Sequence, residues 1–115
     1  MNQHGNRSEK VLLVAANSYD DRNLDAMKAK KSAHALPPLG TVYVATYVQT
    51  YGWPVELLDA ERDLLSEEET VQEVLSRLPD GGFVGWTTWI TTINKVMRIG
   101  EQIRLRRPSI KQFIG

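Results

Sequence analysis

The chain has 115 residues, 14 Lys+Arg against 14 Asp+Glu, no Cys, and 42% apolar residues. That length fits one domain able to bury about two-thirds of its unfolded surface, and three Trp, four Tyr and two Phe argue against wholesale disorder. Zero net charge removes the electrostatic case for a nucleic-acid or anionic-membrane partner, and the lack of Cys excludes a disulfide scaffold, a thiolate zinc site and any iron–sulfur cluster held by this chain.

Residues 1–9 are polar and mixed in charge, without the apolar region of a secretory signal, and read as a flexible N-terminus. No apolar run approaches the ~20 residues needed to span a bilayer. The expectation is a cytoplasmic chain. Val11-Leu12-Leu13-Val14-Ala15-Ala16 is continuously apolar, the pattern of a parallel strand buried on both faces. A long polar stretch runs from Asn17 to about Ala35, with a weak helical signal at Leu24–Ala29. A loop of that length is functional or a mobile insertion.

Pro37-Pro38-Leu39-Gly40 opens the next helix, since Pro is tolerated in a first turn. Leu39, Val42, Ala45, Val48 and Tyr51 give it one apolar face, and Gly52 stops it. Pro54–Asp59 reads as a second strand with Pro at its first position. Ser66-Glu67-Glu68-Glu69 is a capping box, followed by the stripe Val71, Val74, Leu75, Leu78. After the turn Pro79-Asp80-Gly81-Gly82, Phe83–Thr88 forms a third strand. Thr91 or Thr92 caps a helix whose inner face is Ile93, Val96, Met97, Gly100 and Ile103. Pro108 ends it, and Ile110–Ile114 is a fourth strand.

Strands alternating with helices predict a doubly wound α/β fold, a parallel sheet with right-handed crossovers and helices on both faces. Ligands of such sheets bind outside the carboxyl ends of the strands, at the switch point. Here those ends are Asn17-Ser18, Asp59, Thr87-Thr88-Trp89 and Gly115. Hydroxyls and indoles there suit a flat polar ligand, although β-branched strand residues and core tryptophans explain them as well. The dinucleotide fingerprint, the P-loop and the serine nucleophile elbow are absent. A phosphorylated receiver is unlike this chain, which has Thr87-Thr88 where a receiver carries its third-strand Asp. Arg98, Arg104, Arg106, Arg107 and Lys111 read as a solvated basic face.

Taken together, Lys10–Val14, Pro37–Gly40, Gly52–Ala60, Phe83–Thr87 and Ile110–Gly115 resemble the cobalamin-binding N-terminal domain of cobalamin-dependent radical S-adenosylmethionine enzymes. The most specific part is Pro-Pro-Leu-Gly combined with Gly-x-x-Val-x-x-x-Asp in the second strand. The resemblance implies a flavodoxin-like (Rossmann-like) three-layer sandwich over 10–115. It also implies a fifth strand beyond the fourth, so that the chain reads as a domain cut at its ligand edge. It implies cobalamin as cofactor, approached by Asn17, Ser18, Pro37, Pro38, Leu39, Gly40, Asp59, Thr87, Thr88, Trp89 and Gly115. The implied partner is a radical barrel domain carrying the iron–sulfur cluster and S-adenosylmethionine, with methyl transfer or a related reaction as the parent's activity. Methionine-synthase-like relatives carry Asp-x-His-x-x-Gly after the first strand. Asp21-Arg22-Asn23-Leu24-Asp25 lacks that His, which implies base-off cobalamin without a protein His ligand; His34 is the weak alternative. Two competing readings use the α/β pattern alone. One is a non-catalytic regulatory or protein-interaction domain; the other is a small flavin-binding protein.

Overall fold

In the computed structural model, which describes residues 10–30, 39–88 and 90–114, four strands form one parallel sheet. The elements are β1 (Val11–Ala15), a 3₁₀ turn (Asp21–Asn23), α1 (Leu24–Lys30), α2 (Leu39–Thr50) and β2 (Val55–Asp59). They continue with α3 (Glu67–Arg77), β3 (Phe83–Thr87), α4 (Ile93–Arg106) and β4 (Lys111–Ile114). The sheet order is β2-β1-β3-β4. The chain winds one way from β1 to β2 and the other way from β3 to β4, so winding direction reverses between β1 and β3. This is the expected doubly wound, flavodoxin-like α/β arrangement.

Alternation along β1 sorts the core into two layers. Leu12 and Val14 join Leu58, Val84 and Trp86 beneath α3 and α4, with Val71, Val74, Val96, Ile99 and Ile103. Val11 and Leu13 face the other way, toward Ala45 of α2, with Trp53, Val55 and Phe83 packed alongside. β1 is thus enclosed by strands on both sides and by helices above and below, as its unbroken apolar run requires.

Local signals hold where the chemistry is local. Ser66 Oγ accepts the Glu69 N–H at 3.1 Å, and a Glu69 carboxylate oxygen accepts the Ser66 N–H at 3.0 Å, so the capping box is closed both ways. Gly52 and Gly81 take left-handed φ of 85° and 81°, the conformation their turns need. The weak helical signal at Leu24–Ala29 is met by α1, preceded by the 3₁₀ turn, while residues 31–38, including Pro37, Pro38 and His34, lie outside the described residues. Two details differ from the sequence expectations. On α2, Ala45 is buried, but Tyr51 is 46% exposed, Val48 only half-buried, and Tyr43, Val44 and Tyr47 project outward. Among the described side chains of the helix, Ala45 is the one packed into the core of this face. On α4 the inward stripe is Val96, Ile99 and Ile103, whereas Met97 is 58% exposed. α3 packs beside α4 and draws Ile99 inward, turning Met97 to the surface. Gly100 has a separate role. The Gln112 amide lies 3.0 Å from where a Cβ would stand. It donates to Gly100 O at 2.9 Å while accepting from the Trp86 indole at 3.0 Å.

Candidate functional site

The carboxyl ends of three strands lie level. Ala15 pairs with Asp59 on one side and with Thr87 on the other. At ~4.8 Å between strands, Asp59 and Thr87 stand ~10 Å apart with the small Ala15 between them. Right-handed crossovers return each helix antiparallel to the strands, so α2, α3 and α4 all begin at this same edge. The backbones of Leu39 and Gly40 form the first turn of α2 there. Asn17, Ser18, Asp59, Thr87 and Thr88 are therefore gathered at one margin of the sheet. Pro37, Pro38, Trp89 and Gly115 lie outside the described residues.

Several of these side chains brace the loops of that margin. Asn17, 1% exposed, donates from Nδ2 to Leu65 O at 2.8 Å and accepts the Tyr19 N–H on Oδ1 at 2.6 Å. Ser18 donates to Glu61 through its backbone N–H at 3.1 Å and through Oγ at 2.5 Å. Asp59 accepts the Arg62 N–H at 3.0 Å, closing the turn after β2. In that turn Leu64 holds a φ of 50°, a left-handed conformation that strains a branched side chain. Thr87 and Thr88 are half-buried at the end of β3. Thr92 is buried at the start of α4, yet its side chain makes no capping bond to the helix, contrary to the expectation for a Thr in that place.

Residues absent from the sequence-based site complete the margin. Lys95, in the first turn of α4, is 9% exposed. Its ammonium donates to Tyr19 O at 2.6 Å and to Asp21 Oδ1 at 3.2 Å. Asp21 uses its other oxygen to accept the Glu67 N–H at 2.9 Å, at the first residue of α3. A cation in a first turn opposes the helix dipole by roughly 0.3–1 kcal/mol. That unfavourable placement is the one local signal by which Lys95 could have been singled out. Beside this network Arg22 clamps Asp20, and the guanidinium holds the Asp20 carboxyl well below the usual carboxylate range.

The four arginines of the C-terminal basic set are tied to acidic partners or carbonyls, and the Lys111 ammonium lies 5.2 Å from the centre of the Phe83 ring. Arg98 grips Glu67, Arg106 grips Glu68, Arg104 grips Glu101, and Arg107 donates to Leu75 O and Leu78 O. Glu68 and Glu101 titrate below the ordinary Glu value because of their Arg partners. A recess between α3 and α4 is lined by helix residues and Asp21, with no strand residue. Among the described residues no cluster of three or more His, Cys, Asp or Glu could hold a metal ion. Nor, among them, is any helix long and apolar enough to cross a membrane.

No curated protein and no solved structure matches this chain. The model of one family, the B12 binding domain, matches residues 28–115. β1 precedes the matched segment and yet forms the centre of its sheet, between β2 and β3. The switch-point margin, the four-stranded parallel sheet and a match over most of the length together establish that the chain belongs to the B12-binding domain family.

Proposed function

We propose that this chain holds cobalamin at the carboxyl edge of β1 and β3 as the cofactor-binding part, 10–115, of a larger radical S-adenosylmethionine enzyme, a methyltransferase or a relative of one. Family membership supports cobalamin as the ligand; the radical parent rests on the Pro37–Gly40 and Gly52–Asp59 resemblance.

The donor set at the margin fits a corrin. Thr87, Thr88 and Ser18 are neutral, and the ring's peripheral amides call for neutral hydrogen-bond partners rather than ion pairs; Asn17, buried and bonded to Leu65 O and the Tyr19 N–H, holds the loop that carries Ser18. Ala15 and Ala16 are small, which leaves room for a flat macrocycle above the switch point. Asp59, bound to the Arg62 N–H, shapes the turn on the far side. When bound, the cofactor supplies the cobalt that carries a transferable one-carbon group, while the protein contributes position and electrostatics. In this reading the loop after Ala16 and the Thr87-Thr88 edge border the ring. The first turn of α2 at Leu39 and Gly40 begins at the same margin; the resemblance adds Pro37, Pro38, Trp89 and Gly115, which lie outside the described residues. The Asp21–Asp25 segment, where related domains carry a His, begins with an Asp already bound to Glu67 N–H and Lys95. That supports base-off cobalamin without a protein His ligand.

The carrying observation is the level margin of Ala15, Asp59 and Thr87 at the reversal between β1 and β3. Reconstitution with hydroxocobalamin tests it: corrin absorbance co-elutes with the folded chain in gel filtration, with a base-off spectrum. Folded protein, verified by circular dichroism, that elutes without corrin would sink the proposal. A Cys-x-x-x-Cys-x-x-Cys motif encoded in frame downstream of Gly115 supports the radical parent; a different enzyme domain there removes it.

A further inference from the structure

We infer that Lys95 is a positioning residue for cobalamin binding, an internal latch that sets the loop after β1 before the cofactor arrives. This rests on the reading of the β1–β3 margin as the cofactor edge.

The loop from Asn17 to Asn23 is held by elements remote in sequence. Asn17 reaches Leu65 and Ser18 reaches Glu61, both in the turn after β2. Lys95 is the link to α4, through Tyr19 O and Asp21. Asp21 then ties the same loop to the first N–H of α3. One nearly buried ammonium thus joins the loop to α4 and, through a shared carboxylate, to α3. A Lys here goes against the local rules twice: it faces the positive end of its own helix, and it has left water. Local rules are broken where function requires a fixed geometry. The ammonium's two partners both belong to the loop beside the switch point, so what the arrangement fixes is the loop. A loop held in its bound shape binds more tightly because less ordering remains to be done on association.

The test separates positioning from general stability. Removing one member of a buried ion pair strands the other and destabilises; Asp21 is 35% exposed and keeps the Glu67 N–H, which limits that loss. Lys95→Met is therefore expected to lower the melting temperature and also to raise the Kd for hydroxocobalamin about tenfold, measured where the variant is fully folded, the loss of preorganisation. Lys95→Arg, which keeps charge and donors, restores affinity to within about threefold of wild type. Val96→Ala, in the same turn but directed into the core, lowers the melting temperature and leaves the Kd unchanged, measured where the variant is fully folded. Amide exchange of apo protein supplies a reading independent of the cofactor: protection of residues 19–23 falls in Lys95→Met and persists in Val96→Ala. Should Lys95→Met fail to fold, Asp21→Ala takes its place with the same expected weakening. An unchanged Kd in Lys95→Met, equal weakening by Val96→Ala, or unaltered exchange at 19–23 overturns the inference. Wild-type protein that takes up no cobalamin overturns the cofactor reading instead, and the exchange result still decides whether the latch orders the loop.

Discussion

The two faces of the sheet differ sharply in packing. Among the described residues, thirteen form the buried cluster beneath α3 and α4 and three form the one on the α2 face. The thick face is also laced from outside by Arg98–Glu67 and Arg106–Glu68, which join α4 to α3. The thin face carries an outward row of Tyr43, Tyr47 and Tyr51 and leaves Phe113 half exposed. The described packing is thus concentrated on one side of β1, although α2, α3 and α4 all begin at the same carboxyl margin of the sheet.

The widest contrast should appear between Ile103→Ala and Tyr43→Ala. Ile103 is fully buried, so truncation costs about 3 kcal/mol; Tyr43 is 77% exposed, so its truncation stays within about 0.5 kcal/mol. Equal shifts in urea midpoint would erase the distinction between the faces. A smaller effect belongs to Gly85→Ala on the thin face. Its methyl would stand 2.6 Å from Leu13 and 2.8 Å from the Phe113 ring, and overpacking of this kind costs about 2 kcal/mol. The half-exposed Phe113 can swing aside; a loss well above that figure would mean that the thin face is as rigid as the thick one. Ser66→Ala opens the capping box of α3 and should cost about 1 kcal/mol, read in the same denaturation experiment.

The smallest effect is a pH dependence on the thick face. The Ser66 N–H holds Glu69 below its ordinary value of 4.5. A depressed folded-state pKa contributes stability above the unfolded value, and that contribution is lost as pH falls through the folded one. Stability should therefore decline as pH falls below about 4.5. Glu69→Gln keeps an acceptor for the N–H but does not titrate, so its decline should be shallower. Identical acid limbs in the two proteins would remove the capping box from the account.

The strands were legible because each is a short apolar or alternating run bounded by turn residues, and β1 announced its central position by being apolar throughout. The capping box was legible because both partners lie within one turn. The inward face of α2 was not. Leu39, Val42, Val44, Ala45, Val48 and three tyrosines surround that helix with apolar groups, so no single period identifies the side that meets the sheet. On α4 the neighbouring candidates Val96, Met97 and Ile99 could be sorted only once α3 was in place beside them. Asn17, Ser18 and Asp59 were correctly drawn to one margin by the topology, but their hydrogen bonds to Leu65, Glu61 and Arg62 depend on contacts that spacing along the chain does not reveal. The Lys95–Asp21 contact, across 74 positions, is of the same kind.

The central claim, a cobalamin site at the β1–β3 margin, is tested most directly by backbone amide NMR during titration with hydroxocobalamin. The account predicts that shifts concentrate at 15–18, 59–61 and 87–88, with the opposite edge, 52–53 and 81–82, unmoved. Shifts centred on that opposite edge, or on the recess between α3 and α4, would contradict it.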